Sequence, residues 1–105
     1  MAARGLEHNR LELGGRIVHH GGLRHTPAGL PAVELNLAHV SQQAEAGHVR
    51  RVACELPAVA YGDTALALAG VREGSALVLS GFVERRSQRD DRLVLHITGF
   101  DLIEE

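Results

Sequence analysis

The chain has 105 residues, which is the size of one small domain. Apolar residues make up 45% and charged residues 23%, which excludes a wholly disordered chain, and the formal net charge of -2 excludes a uniformly basic nucleic-acid binder. The single cysteine, Cys54, excludes an intramolecular disulfide and a cysteine zinc site.

The predicted elements follow a flexible N-terminal arm, which we assign to residues 1–8, and all belong to one domain over residues 9–105. The first strand alternates apolar and polar residues, as a half-buried strand does, with apolar residues at Leu11, Leu13 and Ile17. The pair Gly14 and Gly15 interrupts this strand and predicts a bend. One long bent strand can serve two edges of a small barrel.

Two loops flank the second strand. Residues 19–31 are rich in glycine and proline, which predicts a loop with a hairpin turn at residues 26–29. Residues 32–40 alternate again and predict the second strand. The polar residues 41–48 predict the second loop.

The third strand is predicted over residues 49–56. Cys54 alternates with Val52 and Leu56 on one face, so we expect its thiol to be buried and inert. Pro57 is expected to end this strand.

A short helix is predicted next, over residues 61–69. Asp63 is suited to the N-cap because its carboxylate can accept hydrogen bonds from free backbone N–H groups. Gly70 is suited to the C′ position. Tyr61 is expected at the start of this helix.

The last two strands are predicted over residues 77–84 and 93–103, joined by a charged hairpin tip over residues 85–92. A helix between the third and fourth strands is the arrangement of an OB-fold. The predicted fold class is therefore all-β (mainly β): a five-stranded OB-fold barrel with one short helix between strands 3 and 4.

Several segments resemble the bacterial single-stranded-DNA-binding protein superfamily: residues 9–15 (NRLELGG), 23–29 (LRHTPAG), 70–75 (GVREGS) and 77–82 (LVLSGF). Within it, the chain resembles the primosomal replication protein N (PriB) family at residues 43–47 (QAEAG), 54–57 (CELP) and 93–96 (LVLH). The sequence ends at Glu105, and we expect no long acidic tail of the kind that ordinary members of the superfamily carry.

The resemblance implies a homodimer that binds single-stranded DNA in the replication-restart primosome, with the PriA helicase and DnaT as partners. Ala53 stands where some PriB members place an aromatic residue. All eleven basic residues are arginines, whose planar guanidinium groups bind phosphate and stack on bases. We therefore expect the single-stranded-DNA-binding residues to be Arg24, Arg50, Arg85, Arg86, Arg89 and Arg92. The aromatic residues Tyr61, Phe82 and Phe100 are expected mainly to support the core.

Other functions are less well supported by the sequence. The histidines lack the spacing of a metal site, and no nucleophile or phosphate-binding motif is present, so we expect no metal, no cofactor and no enzyme activity. No signal peptide or membrane span is visible, which predicts a cytoplasmic protein without a membrane partner. Two alternatives stay open: a dimeric protein-interaction adaptor with little DNA affinity, and a tailless single-stranded-DNA-binding protein.

Overall fold

The computed structural model describes residues 5–105. The elements, in chain order, are β1 (Leu11–His25), β2 (Pro31–Glu45), β3 (His48–Tyr61), α1 (Asp63–Ala69), β4 (Ala76–Ser87) and β5 (Asp90–Leu102). The strands close a barrel in the order β1-β2-β3-β5-β4, and every pair is antiparallel except β3 with β5. This confirms the predicted OB-fold and the place of its helix. Residues 1–4 of the predicted arm lie outside the described residues, and the arm stays a prediction.

The first strand serves two edges of the barrel, as predicted. Residues 11–16 pair with β4, and from Arg16 onward the strand pairs with β2. Gly14 and Gly15 lie just before this change of partner. Further on, Gly22 adopts a φ of 80° within an irregular stretch of the β1–β2 register, a conformation that glycine adopts without a steric penalty.

The core is aliphatic and follows from the alternation of each strand. Its buried side chains are Ile17, Val33, Leu35, Leu37, Ala58, Ala60, Ala65, Leu68, Leu77, Leu79, Leu95 and Ile97. Ala65 and Leu68 come from α1, which packs mainly against β2 and β3 and buries its apolar side. Full burial of each Leu or Val side chain contributes about 1.5–3 kcal/mol. No helix within residues 5–105 has the length and apolar character needed to cross a bilayer.

The hairpins differ from the predicted loops. Strand β2 continues to Glu45 and β3 begins at His48, so the predicted loop over residues 41–48 is a two-residue turn at the end of a long ribbon. Ala46 and Gly47 form that turn with φ values of 53° and 79°. The first loop is likewise confined to residues 26–30, where the predicted hairpin turn lies.

The prediction that Pro57 ends the third strand is wrong. Strand β3 runs through Pro57, which pairs with Asn36, and continues to Tyr61. Pairing of β3 with β5 begins only at Ala58. Pro57 therefore has no partner in β5 to which a backbone N–H would have to donate a hydrogen bond.

The prediction that Cys54 is buried is also wrong, because its side chain is exposed. Cys54 lies opposite His39 in the part of β3 that pairs with β2 but not yet with β5. Among the described residues, no other element packs against this two-stranded part of β2 and β3. Its side chains are therefore exposed even though apolar and polar residues alternate along β3.

The ends of the helix are shifted from their predicted positions. Gly62, with a φ of 67°, is the N-cap and Asp63 is the first helical residue. Gly70 is the C-cap with a right-handed φ of -89°, not a left-handed C′ glycine. Tyr61 is the last residue of β3 and not the first of the helix.

Candidate functional site

A groove of about 260 Å³ runs over the outer surface of β2, β3 and β5; we call it the outer groove. Its polar and aromatic lining includes Glu34, Asn36, Tyr61, Arg86 and His96. The side chains of β2, β3 and β5 among them point outward because Leu35, Ala60 and Leu95 beside them point into the barrel. Val59 and Val94 also line the groove and are buried, so an apolar floor lies beneath polar walls.

Three rings form a row in and beside the outer groove, which we call the aromatic row: Tyr61, His96 and Phe82. The ring centroids of Tyr61 and His96 are 6.1 Å apart, with an angle of 34° between the planes. Phe82 stacks on His96 at 4.8 Å and 13°, because the two residues are direct partners in the β4–β5 register.

Tyr61 and Phe82 are 40% and 37% exposed, so the expectation that they support the core is wrong. Phe100 is partly buried against the core, as expected. The sequence did carry a signal for this placement. The alternation that puts Ala60, Leu79 and Leu95 inside assigns the aromatic row to the outer face.

An ion-pair chain connects the outer groove with the β4–β5 tip. The Glu34 carboxylate lies 3.7 Å from the Arg24 guanidinium and 4.0 Å from that of Arg86. Asp90 lies 4.0 Å from Arg86 and 2.7 Å from Arg92. The structure thus brings together three of the six predicted arginines, from β1, β4 and β5, and alternates them with two carboxylates. We call this set of five residues the charged strip.

Arg92 holds Asp90 most tightly. Its side chain and main-chain N–H donate hydrogen bonds to the Asp90 carboxylate, and these bonds lower the pKa of Asp90 to about 2. Arg85 and Arg89 belong to the same tip. Neither forms a salt bridge with any other residue between 5 and 105, so both guanidinium groups are available to an anion.

Arg50 lies apart from the charged strip, near the β2–β3 turn. Its guanidinium donates a hydrogen bond of 2.6 Å to the Glu45 carboxylate on the neighbouring strand. Arg51, whose side chain points to the opposite face, forms no salt bridge in the described part of the chain. The six predicted arginines therefore lie in or beside the outer groove, at the β4–β5 tip and on the β2–β3 ribbon.

A second depression flanks the far side of Phe82 and is lined by Asn9 and Arg10, among others. The Asn9 amide donates to the Val83 carbonyl at 2.8 Å and accepts from the Val83 N–H at 3.0 Å. These two bonds hold the segment just before β1 beside β4, and Arg10 lines the same depression as Phe82. The sequence analysis did not identify Arg10 as a site residue.

Two histidines, His20 and His39, form hydrogen bonds that serve local structure. His20 accepts a hydrogen bond from the Gly22 N–H on Nδ1, and its Nε2 lies 3.0 Å from the Leu68 carbonyl, which requires the Nε2–H tautomer. His39 connects the Gly14 carbonyl, at 2.6 Å, with Ser41. Within residues 5–105, no three His, Cys, Asp or Glu side chains are grouped so that they could hold a metal ion.

Comparison with known proteins identifies relatives over nearly all of the domain. Residues 9–99 match the model of a protein family whose description reads 'Another single-strand binding protein family'. The chain is 46% identical over 89 residues to the replication restart protein PriB of Bordetella pertussis, covering 85% of this chain and 83% of that protein. It is 35% identical over 98 residues to PriB of Nitrosomonas europaea, covering 93% and 91% of the two chains.

Solved structures agree with these matches. PriB from Ralstonia solanacearum superposes with a TM-score of 0.82 at 33% identity, over 91% of this chain and 98% of that one. The wild-type single-stranded DNA binding protein of Thermus aquaticus superposes with a TM-score of 0.76 at 27% identity, over 97% and 52% of the two chains.

The closed barrel, the helix between β3 and β4 and the groove across β2, β3 and β5 define an OB-fold protein of the single-strand binding class. More narrowly, the identity to curated relatives over most of both chains shows that this chain belongs to the family of replication restart proteins called PriB.

Proposed function

We propose that this protein binds single-stranded DNA in replication restart and connects the DNA with a PriA-type helicase and with DnaT. The observation that carries the proposal is the charged strip, which runs from the outer groove to the β4–β5 tip of an OB-fold barrel. Membership in the PriB family supports the same role.

The proposed DNA-binding residues are Arg24, Arg50, Arg85, Arg86, Arg89 and Arg92. A guanidinium group binds a phosphate through two parallel hydrogen bonds and stays charged at any physiological pH. Each phosphate neutralised on a single strand adds about -0.7 to the slope of log affinity against log salt, so four contacts would give about -3. We therefore expect weak binding that depends strongly on salt and little on sequence.

We also propose that the protein is a homodimer. Residues 11–15 pair with β4 on one edge, while pairing of the other edge with β2 begins only at Arg16. Such a strand edge is a template for main-chain pairing with a second copy. The exposed side chains of Val40 and Ile103 border the gap beside this edge and supply apolar surface.

The test is fluorescence anisotropy of a labelled oligo-dT at low and moderate salt. Binding at micromolar protein in low salt is expected, and its absence would contradict the DNA-binding role. Charge removal at Arg85, Arg86, Arg89 and Arg92 should weaken binding, whereas an unchanged isotherm would exclude this surface. A sedimentation experiment that finds only a monomer of 11.3 kDa would contradict the dimer.

One observation favours a second candidate, a dimeric protein-interaction adaptor with little DNA affinity. Four of the six arginines are already engaged by carboxylates: Arg24, Arg50, Arg86 and Arg92. A phosphate must compete with these carboxylates for each guanidinium. The same titration repeated with the cognate helicase separates the two functions, because an adaptor would bind the helicase but not the oligonucleotide.

A further inference from the structure

We propose that His19 is a further contact for single-stranded DNA on the β1 side of the outer groove, and that its imidazole binds a phosphate once it is protonated. The inference rests on the proposed binding of single-stranded DNA. It adds a residue to that surface and makes the affinity for DNA depend on pH.

A β-bulge in β1 puts His19 on the outer face. Ile17 is buried in the core and pairs with Leu37 of β2. The next pair in the register is His19 with Asn36, which leaves Val18 as an extra residue in β1. An extra residue reverses the face that the following side chains occupy. Without the bulge His19 would point inward like Ile17, and with it His19 lines the outer groove together with Asn36.

The carboxylate of Glu73 holds this bulge and faces the imidazole. It accepts a hydrogen bond of 2.8 Å from the main-chain N–H of His20, and it lies 3.8 Å from Nδ1 of His19. The His19 side chain is 65% exposed, and its Nε2 forms no hydrogen bond with another residue between 5 and 105. A protonated imidazole donates from both nitrogens, so Nε2 is available to a phosphate oxygen while Nδ1 faces Glu73.

The neighbouring groups give the direction of the pH dependence. Besides Glu73, the charged and titratable side chains that line the groove with His19 are Glu34, Tyr61, Arg86 and His96. Carboxyl groups ordinarily titrate near about pH 4, tyrosine near about 10 and arginine above about 12. Among these groups, therefore, only the two imidazoles change charge between pH 7.5 and pH 5.5. An imidazole is ordinarily neutral above about pH 6.5 and positive below it, so DNA binding should tighten as the pH falls.

The experiment measures the anisotropy of end-labelled dT15 with the 105-residue chain at pH 7.5 and pH 5.5, each at several salt concentrations. The variants are His19→Gln, which cannot gain the charge, and His19→Arg, which carries a positive charge at both pH values. His8→Gln is the matched control, because His8 is exposed and does not line the outer groove. His96 is present in every variant, so its own titration is common to all of them.

His19→Gln should remove about 2- to 5-fold of the tightening that the original protein shows between pH 7.5 and pH 5.5, the gain expected from one largely exposed ion pair. His19→Arg should bind more tightly than the original at pH 7.5 by a similar factor. The salt slope of the original should be steeper by about 0.7 at pH 5.5 than that of His19→Gln, because one more phosphate is neutralised. His8→Gln should behave like the original at both pH values.

Three results would overturn the proposal. If dT15 binds with no dependence on pH, or if His19→Gln keeps the full dependence, the contact is wrong while DNA binding stands. If His19→Gln does not fold, as judged by far-UV circular dichroism, His19→Arg decides, and the contact is wrong when this variant binds no more tightly than the original at pH 7.5. If dT15 does not bind at either pH at micromolar protein in low salt, the proposed function itself fails and the contact with it.

Discussion

Glu34 is predicted to restrain the DNA affinity of this protein. Its carboxylate faces the guanidinium groups of both Arg24 and Arg86, which are proposed to bind phosphate. A phosphate that approaches either arginine is repelled by Glu34 and must also replace it as a partner. The substitution Glu34→Gln removes this charge and keeps the size of the side chain, so it should tighten the binding of single-stranded DNA.

The size of the effect follows from the exposure of the two pairs. All three side chains are about half exposed, and an ion pair of this kind contributes about 0.2–1 kcal/mol. Loss of both ion pairs with Glu34 therefore gains about 0.4–2 kcal/mol of binding free energy, which corresponds to a decrease in Kd of roughly 2- to 30-fold. The salt slope should also become steeper by about 0.7 for each arginine that gains a phosphate.

The assay is anisotropy of labelled dT15 at several salt concentrations, with Asp101→Asn as the matched control. Asp101 is exposed, forms no salt bridge within the described residues and does not line the outer groove. Its substitution changes the net charge by the same amount without releasing an arginine. If Glu34→Gln binds no more tightly than the original, or if Asp101→Asn tightens binding equally, the restraint assigned to Glu34 is refuted.

Three further predictions concern the barrel and its tip. Gly81→Ala should strongly destabilise the fold, because a β-carbon there would overlap the main-chain carbonyl of His96; an unchanged midpoint in a urea melt would argue against this. Asp90→Asn should release Arg92 and tighten dT15 binding, with a salt slope steeper by about 0.7, and an unchanged slope would show that Arg92 contacts no phosphate. The lowered pKa of Asp90 means that its interaction with Arg92 stabilises the fold above the ordinary value of 3.8 and is lost as the pH falls through about 2. An NMR titration of the Asp90 carboxyl that finds a midpoint near 4 would contradict this assignment.

The alternation of apolar and polar residues along the strands indicates which side chains face the core more reliably than the hydrophobicity of single residues does. Residues 32–40 were predicted to alternate, and Leu35 and Leu37 among them are fully or almost fully buried. The same pattern in the fourth strand assigns Phe82 to the outer face, yet its apolar character suggested the core. Tyr61 was expected at the start of the helix, and only the continuation of β3 through Pro57 places it in a strand. The period of a strand fixes which side chains share a face, and that constraint outweighs the hydrophobicity of one ring.

The hairpins were predicted poorly because polarity alone does not separate a loop from a solvated ribbon. Residues 42–51 are exposed on both faces, since they extend beyond the barrel, and yet they pair residue by residue up to the turn at Ala46 and Gly47. Cys54 shows the same effect. Its neighbours alternate as a buried strand does, but the strand that would cover them begins its pairing only at Ala58.

The sequence by itself determined the succession of strands along the chain, the place of the helix among them and the family. These depend on local periodicity, turn residues and motifs. The tertiary structure alone decided which distant residues meet. Glu34 joins Arg24 to Arg86, and His96 joins Tyr61 to Phe82, only because the barrel closes through the parallel pairing of β3 with β5 in one register. A shift of one residue in that register would move the outward side chains of β5 to the inside, so the composition of the site depends on closure of the barrel and cannot be obtained from any single strand.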